Sequence, residues 1–117
     1  MQPRTSPSRR FTTRVQTPGD VWVCWKCQGG RDDISLVRNM SMGGLFIETS
    51  LPRPSGTVTR LDFLVAEGQI RADAVVRHAM PGSGLGLKFT ALNEKDRPKL
   101  AALLSRLRQT QHFPRNA

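Results

Sequence analysis

Tyrosine is absent from this sequence, and two tryptophans and five phenylalanines bring the aromatic share to only 6%. A barrel that stacks single-stranded nucleic acid needs aromatic side chains on a strand face together with a basic face. The scarcity argues against nucleic acid as the partner. Histidine and cysteine occur twice each. Cys24 and Cys27 have the C-x-x-C spacing that supplies half of a tetrahedral zinc site, but His78 and His112 lack the paired spacing that would complete it. A redox dithiol normally precedes a helix in an α/β unit. This pair falls in a strand pattern, where positions 24 and 27 point to opposite faces, so both are read as structural and no metal is expected. No stretch approaches the apolar length of a membrane span, and residues 1–8 (MQPRTSPS) have no apolar signal-peptide core. The expectation is a cytoplasmic protein without membrane insertion. There is no G-x-S-x-G elbow and no Walker loop, Ser41 has no histidine near it in sequence, and the carboxylates are scattered. Nothing in the sequence points to an enzyme.

Acidic residues are missing from both ends. Residues 1–14 carry +4 and residues 97–117 carry +5, which accounts for the whole net charge of +9. The body between them is neutral, unlike a basic-faced nucleic-acid domain. The basic ends are either solvated tails or the places where an anion is met. The 117 residues fit one domain. A hydrophobic content of 38% is low enough to leave part of the chain outside the core. Residues 1–8 are expected to form a disordered arm, residues 9–108 the domain, and residues 109–117 a flexible tail.

Short β-branched and apolar stretches recur between turn signals. Residues 21–25, 34–38, 45–47, 57–65, 70–78 and 85–89 read as strands, the fifth with apolar alternation at Ile70, Ala72, Ala74 and Val76. Thr17-Pro18-Gly19-Asp20, Gln28-Gly29-Gly30, Glu67-Gly68 and residues 80–84 (MPGSG) are turns, and residues 48–56 are a loop. The period then changes. Leu100, Leu103, Leu104 and Leu107 form a helical stripe. Asn93 offers a cap for a short turn, and Pro98 fits the start of a helix over 98–108 that frays beyond Gln109. The pattern is all-β with a C-terminal helix: a small antiparallel barrel or sandwich.

Two short constellations remain. Arg10 and Arg14 are spaced i, i+4, with Arg9 adjacent. Guanidinium forks suit phosphates and guanine edges, and their faces stack on rings, but a solvated basic tail has the same composition. Asn39-Met-Ser41-Met-Gly43-Gly44 runs into the strand Leu45-Phe46-Ile47. Asn39 and Ser41 favour a turn by bonding local backbone. Gly43 and Gly44 permit positive φ and close approach to a ligand.

Taken together and in order, Arg10-x-x-x-Arg14 and Asn39-x-Ser41-x-x-Gly44 resemble the paired RxxxR and [D/N]xSxxG motifs of the PilZ domain family. Ala74-Val-Val-Arg77, Gly84-Leu-Gly-Leu-Lys-Phe89 and the closing leucine-rich helix are similar to that family's pattern too, so the resemblance spans residues 9–108. It implies a six-stranded antiparallel β-barrel with a C-terminal helix, binding of cyclic di-GMP, no catalysis and no further cofactor. By the same resemblance, Arg10 and Arg14 grip phosphates and guanine edges, Asn39 and Ser41 bond a guanine, and Gly44, helped by Gly43, leaves room for the ligand. Arg9, before the first motif arginine, implies an intercalated ligand dimer. The bound state would signal to a downstream protein. The competing reading is an interaction module of the same fold, in motility or pilus assembly, that does not use the nucleotide.

Overall fold

The computed structural model describes residues 14–51 and 53–112. After a two-residue strand β1 (Val15–Gln16) come β2 (Trp22–Cys27), β3 (Asp32–Met40), β4 (Gly44–Glu48), β5 (Val58–Val65), β6 (Gly68–Met80), β7 (Gly84–Leu92) and the helix α1 (Arg97–His112). Every pairing is antiparallel. The strands follow one another as β3-β2-β5-β6-β7-β4, and β4 pairs back onto β3. That last pairing closes a six-stranded barrel, as the sequence resemblance implied, and a closed sheet leaves no long edge to be blunted. β1 lies outside the ring, along the end of β3, with Val15 opposite Met40 and Gln16 opposite Asn39.

The interior follows the period of two. Val23, Trp25 and Cys27 of β2 point inward, as do Leu61 and Phe63 of β5 and Leu85 and Leu87 of β7. Trp25 is buried whole, and its indole N–H is satisfied by the hydroxyl of the equally buried Ser35 at 2.9 Å. Cys27 lies inside, 3.6 Å from the Thr59 hydroxyl, while Cys24 is half-buried on the outer face. Burial, and then the carboxylates of Asp32, Asp62 and Asp33, push the Cys24 thiol up. Such a thiol is a poor nucleophile at neutral pH. Among the described residues no three His, Cys, Asp or Glu side chains gather to hold a metal, and no helix is long and apolar enough to cross a membrane.

Most strand ends differ by a few residues from the sequence reading, and two boundaries matter most for the site and the helix. β3 continues through Asn39 to Met40, so Asn39 sits in a strand rather than in the turn. The reason is pairing on both sides: Asn39 stands opposite Gln16 of β1 and Phe46 of β4, and tertiary ladders override a weak local preference. The helix begins at Arg97 and runs past Gln109 to His112. Its first backbone bond comes from the Leu100 amide to the Asp96 carbonyl at 3.0 Å, and Asn93 caps the preceding turn by accepting from the Lys95 amide at 2.9 Å. Pro98 is the second helical residue, where a missing N–H costs nothing. The expected arm over residues 1–8 lies outside the described residues.

Leu100, Leu103, Leu104 and Leu107 are all buried in the main core, and the helix lies against β1 and β6. Polar contacts fix it to the β5–β6 turn. Glu67 takes two bonds from the Arg106 guanidinium, at 2.7 and 3.2 Å, and Gly68 beside it uses a φ of 122° that disfavours any other residue. The Arg106 bonds hold the Glu67 carboxyl below its ordinary value, against an opposing push from burial. Asp96 is held low as well, first by the Arg71 amide at 3.0 Å.

Two outcomes follow from this packing. Leu104→Ala opens a cavity under the helix and should lower unfolding free energy by about 2–5 kcal/mol in a urea titration. Because the folded-state pKa of Glu67 is depressed, its contribution is present above the ordinary value of 4.5 and is lost as pH falls through the lower folded value. Glu67→Gln should therefore be less stable than the parent at pH 7, with the gap closing below pH 4.5 in parallel melts.

Candidate ligand-binding cleft

The tight connection between β3 and β4 is built from Ser41, Met42 and Gly43. The Ser41 amide donates to the Gly44 carbonyl at 2.8 Å, and the Gly43 amide donates to the Ser41 hydroxyl oxygen at 3.1 Å. Ser41 is thereby buried and held by its own turn, as its preference for local backbone bonding led us to expect. Its glycines also serve the fold itself. Neither Gly43 nor Gly44 has a positive φ. A Cβ at Gly44 would overlap the carbonyl oxygen of Leu87, so the close approach at this position is to the β7 backbone. Gly43 faces the other way of use: its carbonyl accepts from the Phe89 amide at 2.9 Å, tying the turn to β7.

β1 brings Arg14 to this turn. Val15 is buried in the core, and Thr17 clamps the chain to β3 through its amide, 3.0 Å from the Arg38 carbonyl, and its hydroxyl, which donates to the Val37 carbonyl. Arg14 is left at the barrel surface with its Nη1 donating to Asn39 Oδ1 at 3.0 Å. One residue from each motif, 25 positions apart, thus forms a direct contact. Arg9 and Arg10 lie outside the described residues.

An open cleft of about 330 Å³ begins here. Arg14, Ser41 and Gly43 form one side, and Arg77, His78, Gly86 and Lys88 of β6 and β7 form the other. Among the described residues three permanent cations line it and no carboxylate does, an arrangement that concentrates anions. Asn39 is not part of the lining but holds Arg14, and Gly44 sits behind it against β7. A larger cleft of about 480 Å³ by Lys26, Arg60 and Asp73 contains no motif residue, and its Arg60 is already 3.5 Å from the Asp73 carboxylate.

Arg77, His78 and Lys88 escaped the sequence reading as site residues. The ladder between β6 and β7 shifts register between Val76 and His78, leaving Arg77 as the extra residue. A bulge re-aims side chains and increases twist, and both Arg77 and His78 are exposed beside the cleft. The one available signal was the alternation in β7, where Gly84, Gly86 and Lys88 share a face opposite Leu85 and Leu87.

Comparison with known proteins is consistent with this architecture. The PilZ domain profile matches residues 3–106. No curated protein sequence matches the chain. Among solved structures, the Bacillus subtilis inhibitor of motility (MotI/DgrA) superposes with a TM-score of 0.71 at 22% identity, over 97% of this chain and 55% of that one. The K. pneumonia MrkH–c-di-GMP complex gives 0.70 at 17% identity, over 97% and 55%. The Escherichia coli YcgR PilZ domain with c-di-GMP gives 0.69 at 17% identity, over 88% and 94%. The chain therefore spans about half the length of MotI/DgrA and MrkH and nearly all of the isolated YcgR domain. With the profile covering most of its length and the barrel and helix in place, this chain belongs to the PilZ domain family.

Proposed function

We propose that this domain is a cytoplasmic receptor for cyclic di-GMP that binds without catalysis and passes the bound state to a downstream protein. The observation that carries the reading is the contact between Arg14 and Asn39 at the mouth of a cleft lined by Arg14, Arg77 and Lys88 and free of carboxylates. Cyclic di-GMP carries two phosphate charges and two guanines. Guanidinium and ammonium groups meet the first, and Asn39 and Ser41 offer fixed polar atoms to the second. The Ser41 oxygen already accepts from Gly43, and its hydroxyl proton is the group that remains to donate to a ligand. Support also comes from MrkH and the YcgR domain, which share this fold and are both named as c-di-GMP complexes.

In this reading Arg9 and Arg10 join Arg14 on the ligand, and Arg9 favours an intercalated ligand dimer. Gly43 keeps the turn low beside the nucleotide. Gly44 contributes through the β4–β7 packing that fixes the turn. Binding closes the segment over residues 4–15, whose end at Arg14 and Val15 is already seated, onto the cleft, and the surface so formed is what the partner reads.

Isothermal titration tests this directly. The parent should bind cyclic di-GMP with two ligands per protein, and Arg14→Ala or Asn39→Ala should each weaken binding about tenfold or more, from contacts of order 1–3 kcal/mol. Absence of binding by the parent would sink the receptor reading and favour a nucleotide-independent interaction module. Hydrogen exchange checks the signalling step separately: amides in residues 4–15 should gain protection on adding ligand, and unchanged exchange with intact binding removes the switch alone.

A further inference from the structure

We propose that His78 is a further ligand-binding residue of the cleft, its imidazole serving as a flat platform on which a guanine base of the ligand stacks. This rests on the receptor reading above and names a contact that neither sequence motif contains.

The argument starts from β7. Gly84 and Gly86 lie on its outer face, between β4 and β6. Gly86 stands opposite His78 on one side and Phe46 on the other. A side chain at Gly86 would displace the imidazole, since a Cβ there would fall 2.5 Å from His78 Cδ2 and 2.7 Å from Nε2. The ring therefore occupies the place of the missing side chain. A Cβ at Gly84 would likewise fall 2.6 Å from Cε1 of Phe46. Two glycines thus let two rings settle onto the β7 backbone, and only His78 belongs to the cleft. The bulge at Arg77 supplies the register shift that brings His78 opposite Gly86.

The Cδ2–Nε2 edge of the imidazole lies against Gly86 of β7, while the residue as a whole remains exposed at the cleft. Among the described residues it is the one aromatic ring in a lining otherwise made of cations, a serine, glycines and Leu87. Phosphates are drawn to Arg14, Arg77 and Lys88. A neutral purine gains little from those charges but gains from a ring face, because every base has a π-surface to stack. A platform already seated on glycine loses little side-chain freedom on binding, which favours affinity.

The test uses cyclic di-GMP with parent, Arg14→Ala, His78→Ala and His78→Phe proteins, by calorimetry and by NMR of the imidazole protons. His78 is exposed, so its replacement should not unfold the barrel. His78→Ala should weaken binding between about fivefold and a hundredfold, the range for loss of one base–aromatic stack. His78→Phe should restore affinity to within about threefold of the parent, because a ring without nitrogens still stacks. In the parent, the His78 ring protons should move upfield on binding. Binding by His78→Ala equal to the parent, with Arg14→Ala still impaired, overturns the platform and leaves the receptor reading standing. Ring protons that stay in place while the ligand binds overturn it too. If the parent does not bind, both fall together.

Discussion

The pairing of β3 with β4 is the constraint on which the rest depends. It turns a six-stranded sheet into a closed barrel, and the connection it demands is the Ser41–Gly43 turn at the mouth of the cleft. The turn is tight because Ser41 bonds across it to Gly44 and supports Gly43 from its own side chain. It is pinned to β7 by the bond from Phe89 to Gly43 and by the absence of a side chain at Gly44. Closure and site are the same piece of structure. A site built on a strand pair of a closed barrel is held rigidly.

The second side comes from farther away. β1 adds only two residues to the sheet, yet Val15 anchors them in the core beneath α1 and Thr17 fixes the chain that follows. Arg14 is thereby delivered to Asn39. The third side, Arg77, His78 and Lys88, exists because β6 and β7 run long and lose register near their ends. Three separate stretches of chain place cations around one concavity, while four of the protein's carboxylates are engaged elsewhere with Arg38, Arg60, Lys99 and Arg106. The outcome is a local field of one sign on a domain whose body is neutral in sequence.

The strands were legible because inward and outward positions alternate so regularly. Ile70, Ala72, Ala74 and Val76 are all buried, as the period of two requires. The leucine stripe of α1 was legible for the same kind of reason, with all four residues in the core. What misled was local chemistry taken alone. Asn39 carries a turn preference but is claimed by ladders on both sides. Gly44 permits a left-handed backbone but is needed for a neighbour's carbonyl. Asn93 caps the short turn as its side chain suggested, while Asp96 supplies the carbonyl that starts the helix and has its carboxylate held by an amide 25 residues away. The two-residue β1 was invisible, since no periodicity exists in so short a piece.

By itself the sequence determined the class of the fold, the strand and turn order, the helix face and two short polar motifs, because each of these depends on neighbours within a few positions. Tertiary structure alone decided that Arg14 reaches Asn39, that Gly44 packs on β7, and that Arg77, His78 and Lys88 join the same cleft. Those outcomes depend on barrel closure and on a bulge, which are properties of registers between distant strands. Register is set by the sum of many pairings, and no single residue carries it.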